Sequence, residues 1–376
     1  MVFTALCRSG GVRMPPARSS CPGQQGAERR GEVRGPRTTA GFRPCGPRPS
    51  GADAGRRCLA RREDTVEKGV RGWLIAAAVL ISVSGGASPA PAEPGAGVID
   101  VMPLAPRVDQ VQVYSPSMDA VVSSTVIRAD GPAPTLYLLA GAGGGTDGIS
   151  WWHHTDVRQF FADKNVNVVM PIGGRFSLYT DWQADDPVLG RNRWQTFLTR
   201  ELPAAMTPWL GATGRDAIAG VSMSAASAID LAIQAGDRYR AVAAYSGCPW
   251  RADPPGMTLV AAQVLRGGGN PVNMWGPPGD PGWQSHDAFR NAGALAGKTV
   301  YLSAASGIPG PIDRGGLPAP TLEAIARTCT AAFADRLAEL GIAAVHVDRP
   351  LGAHTWGQFE TDLHESWPHL AAALGA

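Results

Sequence analysis

Ser222 lies between two hydrophobic patterns, a short apolar run before it and apolar residues at helical spacing after it. Residues 216–221 are a predicted strand, and small apolar residues recur at helical spacing over 225–232. A strand that turns into a helix within two or three residues is typical of a nucleophile elbow, with the pattern G-x-S-x-G. Gly220 takes the first glycine position, and Ser224, which is nearly as small, takes the second. The pattern predicts a serine nucleophile; the alternative is an ordinary loop in which Ser222 caps the helix.

His354 is the predicted general base for this serine. In such sites the chain order is serine, acid, histidine, and the histidine follows the last strand of the sheet. His354 stands in a Gly-Ala-His-Thr-Trp segment between the predicted last strand, 343–348, and the C-terminal helix, 359–374. The other six histidines belong to earlier loops, to that strand or to that helix, so none has the required position.

The acid should lie between the predicted strand 299–304 and His354. Asp313 comes soon after that strand, and Glu323 stands at the start of the following helix. Position alone slightly favours Asp313, and the residues by themselves leave both open.

A glycine-rich segment, Ala140-Gly-Ala-Gly-Gly-Gly145, follows the predicted strand 135–140. It lacks the Lys-Ser/Thr ending of a phosphate-binding P-loop. Its backbone amides, together with the amide of Met223 after the nucleophile, would form an oxyanion hole, and glycine would let a carbonyl oxygen come close. The alternative is a plain turn.

The apolar pattern of the rest of the chain predicts the strands and helices that position these residues. Several predicted strands are continuously apolar, which is typical of strands covered on both faces, and helices alternate with them. The sequence therefore predicts an α/β-hydrolase fold, a mostly parallel sheet with helices on both faces and the chemistry at the carboxyl ends of the strands. The predicted strands are 111–115, 121–128, 135–140, 166–172, 216–221, 241–247, 299–304 and 343–348, and the predicted helices are 155–164, 194–210, 224–235, 322–340 and 359–374.

The first 92 residues differ in composition from the rest. Residues 1–72 hold 14 Arg and one Lys against six acidic residues, a balance of +9, and the remainder carries −7. We interpret 1–65 as an Arg- and Pro-rich extension without a core, from a start site assigned too far upstream. Residues 66–92 have the basic flank, apolar run of about ten and small-residue site of a secretory signal peptide. This predicts an exported domain at 93–376.

Six cysteines are present, of which Cys248 and Cys329 fall in the predicted mature chain. In an exported protein these two form a candidate disulfide. No spacing suggests a metal site, so we expect neither a metal nor another cofactor. The arginine-rich extension lacks interleaved aromatic residues, so we expect no nucleic-acid partner.

Ordered motifs along 110–360 resemble the secreted mycolyltransferases of mycolic-acid bacteria, the antigen 85 proteins and more closely their corynebacterial-type relatives. The motifs are Ser115-Pro-Ser-Met118, Leu136-Tyr-Leu-Leu139, Val169-Met-Pro-Ile-Gly-Gly174, Tyr179-Thr-Asp-Trp182, Trp194-Gln-Thr-Phe-Leu-Thr-Arg-Glu-Leu202, Gly220-Val-Ser-Met-Ser224, Asn273-Met-Trp-Gly-Pro277 and His354-Thr-Trp356.

The resemblance implies a role for single positions. It makes Ser222 the nucleophile, His354 the base and Glu323 the acid, in preference to Asp313. It places the amides of Ala142 and Met223 in the oxyanion hole. The substrate-binding positions that follow from the glycine loop, the resemblance and the nearby aromatic segments are Gly141, Gly143, Trp275 and Trp356, although the tryptophans could equally belong to the core.

The implied reaction moves a mycolyl group from trehalose monomycolate to a sugar hydroxyl, on another glycolipid or on arabinogalactan, at the cell envelope outside the cell. The antigen 85 loop carries Asp where this chain has Ala140 and Arg where it has Gly143, so trehalose recognition must use other groups. The alternatives are a secreted carboxylesterase and a non-catalytic envelope-binding protein.

Overall fold

The computed structural model describes residues 95–249 and 252–376. The predicted extension 1–65 and signal peptide 66–92 lie outside the described residues. A single nine-stranded sheet organises the described chain, in the order β1-β2-β3-β5-β4-β6-β7-β8-β9. The strands are β1 (Gly97–Ala105), β2 (Val108–Ser115), β3 (Ala120–Ile127), β4 (Thr135–Leu139), β5 (Asn167–Ile172), β6 (Asp216–Val221), β7 (Tyr239–Tyr245), β8 (Thr299–Ala305) and β9 (Ala344–Arg349).

The sheet has an antiparallel part and a parallel part. The antiparallel part runs from β1 through β2 and β3 to β5. The parallel part contains six strands, which neighbour one another in the order β5-β4-β6-β7-β8-β9. All residues of β4 and of β6 are buried, as expected for strands covered on both faces. The carboxyl ends of the parallel strands therefore meet at one edge.

Helices cover both faces of the sheet. α4, α5 and α10 pack with one core cluster, and α1, α2 and α11 pack with the other. The helices are α1 (Trp151–His154), α2 (Val157–Phe160), α3 (Trp194–Thr196), α4 (Leu202–Leu210), α5 (Met223–Gln234), α6 (Pro254–Arg266), α7 (Pro271–Trp275), α8 (Pro281–Ser285), α9 (Ala288–Asn291), α10 (Pro320–Glu339) and α11 (Trp356–Leu374). A π-helical turn, Phe197–Glu201, joins α3 to α4.

The predicted α/β-hydrolase architecture is confirmed, with three corrections in detail. β1 was not predicted. The helix predicted over 155–164 is shorter than expected and forms only α2, and a second short helix, α1, precedes it, so that His153 and His154 belong to a helix and not to a loop. The described part of the segment between β7 and β8 contains four α-helices, α6 to α9, and a short 3₁₀ helix, Ala292–Leu295, that the sequence did not indicate. None of the helices in the described part of the chain combines the length and the apolar character needed to cross a membrane.

Candidate active site

The turn between β6 and α5 has the geometry of a nucleophile elbow. Ser222 has φ 58° and ψ −121°, a strained backbone conformation for a residue with a side chain. A Cβ at Gly220 would lie 2.2 Å from the carbonyl oxygen of Ser224, so only glycine fits there. The fully buried Ser224 hydroxyl accepts a hydrogen bond from the Val221 amide at 2.8 Å, and its one proton is shared between the carbonyl oxygens of Val221 at 3.0 Å and of Leu139 in β4 at 3.2 Å. Ser224 thus fills the second small position of the motif and bonds the turn to the neighbouring strand.

Three predicted side chains meet at the carboxyl edge of the sheet. The Oγ of Ser222 lies 2.9 Å from Nε2 of His354, and Nδ1 of His354 lies 2.7 Å from Oε2 of Glu323. His354 stands in the loop after β9 with φ 65°, and Glu323 stands in the first turn of α10. The arrangement is that of a serine, histidine and acid triad, in which the carboxylate fixes the histidine tautomer that can accept the serine proton.

Asp313, which position alone favoured as the acid, does not reach the imidazole. Its Oδ1 accepts hydrogen bonds from the Ala353 amide at 2.9 Å and from the Thr355 hydroxyl at 2.8 Å, on either side of His354. Its Oδ2 accepts from the Gly310 amide at 2.7 Å. Asp313 therefore holds the loop that carries the base, and the carboxylate that faces the base belongs to Glu323.

The carboxylate of Glu323 is fully buried and bonded at both oxygens. Oε2 faces the imidazole, and Oε1 accepts from three donors, the Ala305 amide at 2.6 Å, the Ser246 hydroxyl at 2.9 Å and Nε2 of Gln358 at 2.7 Å. Because a buried charge is costly without such partners, these bonds both stabilise the carboxylate and fix its orientation. Neither Ser246 nor Gln358 belongs to a sequence motif that indicates this role.

The glycine-rich loop lies against the elbow. A Cβ added at Gly141 would contact the Cβ of Ser222 at 3.7 Å, and Ala142 and Met223 line one cavity together with Ser222. Gly144 has φ 64°, and a Cβ there would lie 2.2 Å from the carbonyl oxygen of Gly173. The loop therefore needs glycine for close backbone contact, beside the hydroxyl that would attack.

Ser222 opens onto a mostly apolar cavity of about 240 Å³ between α6 and α10. A second apolar cavity of about 290 Å³ lies further along the same two helices, and Cys248 and Leu259 line both. Cys248 and Cys329 form a disulfide with their Cα atoms 4.8 Å apart. The side chains that give the first cavity its apolar wall are Phe176, Leu259, Ala262, Leu322, Ile325 and Ala326.

The two predicted substrate-binding tryptophans do not line this cavity. Trp275 is 2% exposed, and its ring stacks on His286 at 4.7 Å. Trp356 is 7% exposed and stacks on His154 at 5.5 Å. Both indoles are core residues in this structure, which is the alternative that the sequence left open.

Gly143 lies beside the side chain of Asp147. A Cβ at Gly143 would be 2.1 Å from Oδ2 of Asp147, so an arginine at this position would displace that carboxylate. Ala140, the other position where the sequence departs from the antigen 85 pattern, is buried. Neither position offers a side chain for a sugar.

In residues 95–249 and 252–376, His, Cys, Asp and Glu side chains form no group of three that could hold a metal ion. The strained serine, the paired imidazole and the buried carboxylate on this fold define a serine enzyme of the esterase and acyltransferase class.

Comparison with known proteins extends this assignment. The family model described as putative esterase matches residues 110–370. The diacylglycerol acyltransferase/mycolyltransferase Ag85A of Mycobacterium tuberculosis is 34% identical over 72% of this chain and 82% of its own length. Ag85B of Mycobacterium leprae is 30% identical over 81% of this chain and 94% of its own length. The chain therefore belongs to the putative esterase family and, within it, to the Ag85 mycolyltransferases, which confirms the resemblance drawn from its motifs.

Solved structures agree with this placement. MPT51 (FbpC1) of Mycobacterium tuberculosis superposes with a TM-score of 0.63 at 27% identity, covering 71% of this chain and 98% of its own. An S-formylglutathione hydrolase from Agrobacterium tumefaciens superposes with a TM-score of 0.55 at 15% identity, covering 74% and 100%, and shares the fold.

Proposed function

We propose that this protein is an acyltransferase that moves a mycolyl group from trehalose monomycolate to a sugar hydroxyl through an acyl-enzyme on Ser222. The observation that carries the proposal is the Ser222 hydroxyl, 2.9 Å from the His354 imidazole and open to an apolar cavity. The names of the Ag85 relatives, acyltransferase and mycolyltransferase, support the same class of reaction.

In the first half-reaction, Nε2 of His354 accepts the Ser222 proton while Oγ attacks the ester carbonyl carbon. The amides of Ala142 and Met223 stabilise the negative charge on the carbonyl oxygen. Collapse of this intermediate breaks the bond to the sugar oxygen, which takes the proton from His354 and leaves as trehalose. Glu323 keeps the imidazole oriented and stabilises the imidazolium that forms during the reaction.

In the second half-reaction, a sugar hydroxyl gives its proton to His354 and attacks the acyl carbonyl. The proton then returns to Ser222 as the bond to Oγ breaks. Transfer competes with hydrolysis, so the acyl-enzyme must be shielded from water while the acceptor is held close. An alkyl chain in the cavity between α6 and α10 would exclude water from one side of the ester.

Acceptors consistent with this reaction are a second trehalose monomycolate or arabinogalactan. A specific observation also favours a secreted carboxylesterase as second candidate. Where the antigen 85 pattern carries Asp and Arg for trehalose, this chain has a buried Ala140 and Gly143 beside Asp147. An enzyme without a sugar subsite would release the acyl group to water.

We propose further that residues 66–92 direct export and that the domain at 93–376 acts at the cell envelope. The basic flank at Lys68 and Arg71, the apolar run and the small-residue site at Ala90-Pro-Ala92 support this part of the proposal. N-terminal sequencing of the protein from the culture medium tests it, because an intact residue-1 terminus would contradict export by this segment.

The test incubates the purified protein with trehalose monomycolate, with and without added trehalose, and identifies products by mass. We expect trehalose dimycolate from the wild type and none from Ser222→Ala. Free mycolic acid alone would favour the carboxylesterase. A fluorophosphonate label on Ser222 would exclude the non-catalytic envelope-binding alternative, and the absence of label would contradict the proposed nucleophile.

A further inference from the structure

Gln358 connects the acid of the site to the backbone of the base. Its side chain, in the first turn of α11, is fully buried. Nε2 donates to Oε1 of Glu323 at 2.7 Å and to the Ser246 hydroxyl at 2.8 Å, and Oε1 accepts from the His354 amide at 3.0 Å. Both amide protons and the carbonyl oxygen of this side chain are therefore used inside the site.

The orientation of the Gln358 amide follows from its neighbours. Rotating it by 180° would place its carbonyl oxygen against the Glu323 carboxylate and its NH₂ group against the donating His354 amide. Both contacts would be repulsive. Only one orientation satisfies the two partners, so the glutamine holds them at a fixed separation.

His354 needs such a support because its backbone is strained. A φ of 65° places a residue with a side chain in the left-handed region, which persists only where surrounding contacts hold it. Asp313 holds the residues on either side, and Gln358 holds the His354 amide itself. The imidazole direction, and with it the 2.9 Å contact to Ser222, depends on that backbone.

We propose that Gln358 is a positioning residue for acyl transfer, which fixes the position of the Glu323 carboxylate relative to the His354 imidazole. This inference rests on the proposed function, in which the two act on Ser222. Gln358 does not line the cavity at Ser222, so its loss should affect the chemical step and not the binding of the ester.

The test compares Gln358→Met and Gln358→Glu with the wild type in the full chain. Methionine has a similar length but cannot bond to either partner, and glutamate loses both donors and adds a carboxylate beside Glu323. The measurements are kcat and KM for p-nitrophenyl butyrate, the rate of fluorophosphonate labelling, and the melting temperature. Leu370→Ala, a fully buried change on α11 outside the site, is the control for general destabilisation.

We expect Gln358→Met to lower kcat and the labelling rate about 10- to 100-fold, with KM changed by less than about threefold. Gln358→Glu should lose more, because its charge repels Glu323. Leu370→Ala should lower the melting temperature while kcat below that temperature is retained. A Gln358→Met kcat within twofold of the wild type, or a loss matched by Leu370→Ala at equal stability, would overturn the inference. A wild type that neither hydrolyses the ester nor takes the label would instead contradict the proposed function.

Discussion

Replacing Glu323 by glutamine should inactivate the enzyme by imposing the wrong histidine tautomer. Oε1 of Glu323 accepts from three donors, at Ala305, Ser246 and Gln358. In Glu323→Gln the amide oxygen must occupy that position, since an NH₂ group there would face three donors. The NH₂ group then points at Nδ1 of His354, which can only accept from it. Nε2 consequently carries the proton and cannot accept the one on Ser222.

The loss follows from this geometry. A wrong tautomer with unchanged positions has cost about 10⁴ in kcat in a serine protease, so about 10³ to 10⁴ is expected here, or about 4 to 5.5 kcal/mol of transition-state stabilisation. Asp313→Asn is the matched control, because Asp313 bonds the residues on either side of His354 and does not contact the imidazole. The asparagine oxygen can keep both bonds of Oδ1, and only the bond from the Gly310 amide is lost. We expect a decrease of about tenfold or less.

The assay measures kcat for p-nitrophenyl butyrate at saturating ester, and Ser222→Ala, which lacks the nucleophile, gives the background rate. Circular dichroism of each variant verifies that it is folded. If Asp313→Asn is the more damaging change, the acid has been assigned to the wrong residue. If Glu323→Gln retains more than about a tenth of the wild-type kcat, the tautomer argument is wrong.

Three further predictions concern stability, chain length and pH. Cys248→Ser removes the disulfide to Cys329 and should lower the free energy of unfolding by about 2–4 kcal/mol in oxidising buffer; an unchanged denaturation midpoint would contradict this. Leu259→Trp places a larger side chain in the wall that the two apolar cavities share, and should reduce turnover of p-nitrophenyl dodecanoate relative to butyrate about tenfold; Leu265→Trp, on the exposed face of α6, should leave the ratio unchanged. Burial raises the pKa of Asp362 to about 7, although the Arg349 guanidinium 2.8 Å from its Oδ1 opposes the shift. The unfolded chain therefore loses this proton at lower pH than the folded protein, and the folded protein loses stability as the pH rises from about 4 to 7. Asp362→Asn should therefore gain stability relative to the wild type over that range in denaturant titrations, and a constant difference would refute the assignment.

Much of the parallel sheet could be predicted because its strands are buried on both faces. The runs 136–139 and 217–221 are apolar enough to be recognised as strands without knowing their neighbours. β1 was missed because it is an edge strand with mixed exposure and a proline, and has no clear alternation. α6 was missed because Pro254-Pro-Gly256 looks like a break, although proline is favoured in the first turn of a helix, and here Asp253 caps that turn.

The site was predictable where chemistry and chain position coincide. The elbow motif indicates Ser222, and the position after the last strand indicates His354, so both could be identified from motif and chain order. The acid could not, because Asp313 and Glu323 lie in the same interval and only the folded loop shows which of them faces Nδ1. Gln358 gives no sequence signal, since a glutamine in a helix is ordinary until its partners are known.

The serine that replaces the second glycine of the elbow has a mechanical consequence. One hydroxyl, that of Ser224, fastens the strand that ends in the nucleophile to the strand that ends in the oxyanion loop. A glycine there would leave this connection to the sheet ladder alone. We expect this contact to limit how far the attacking oxygen moves relative to the loop that carries the Ala142 amide.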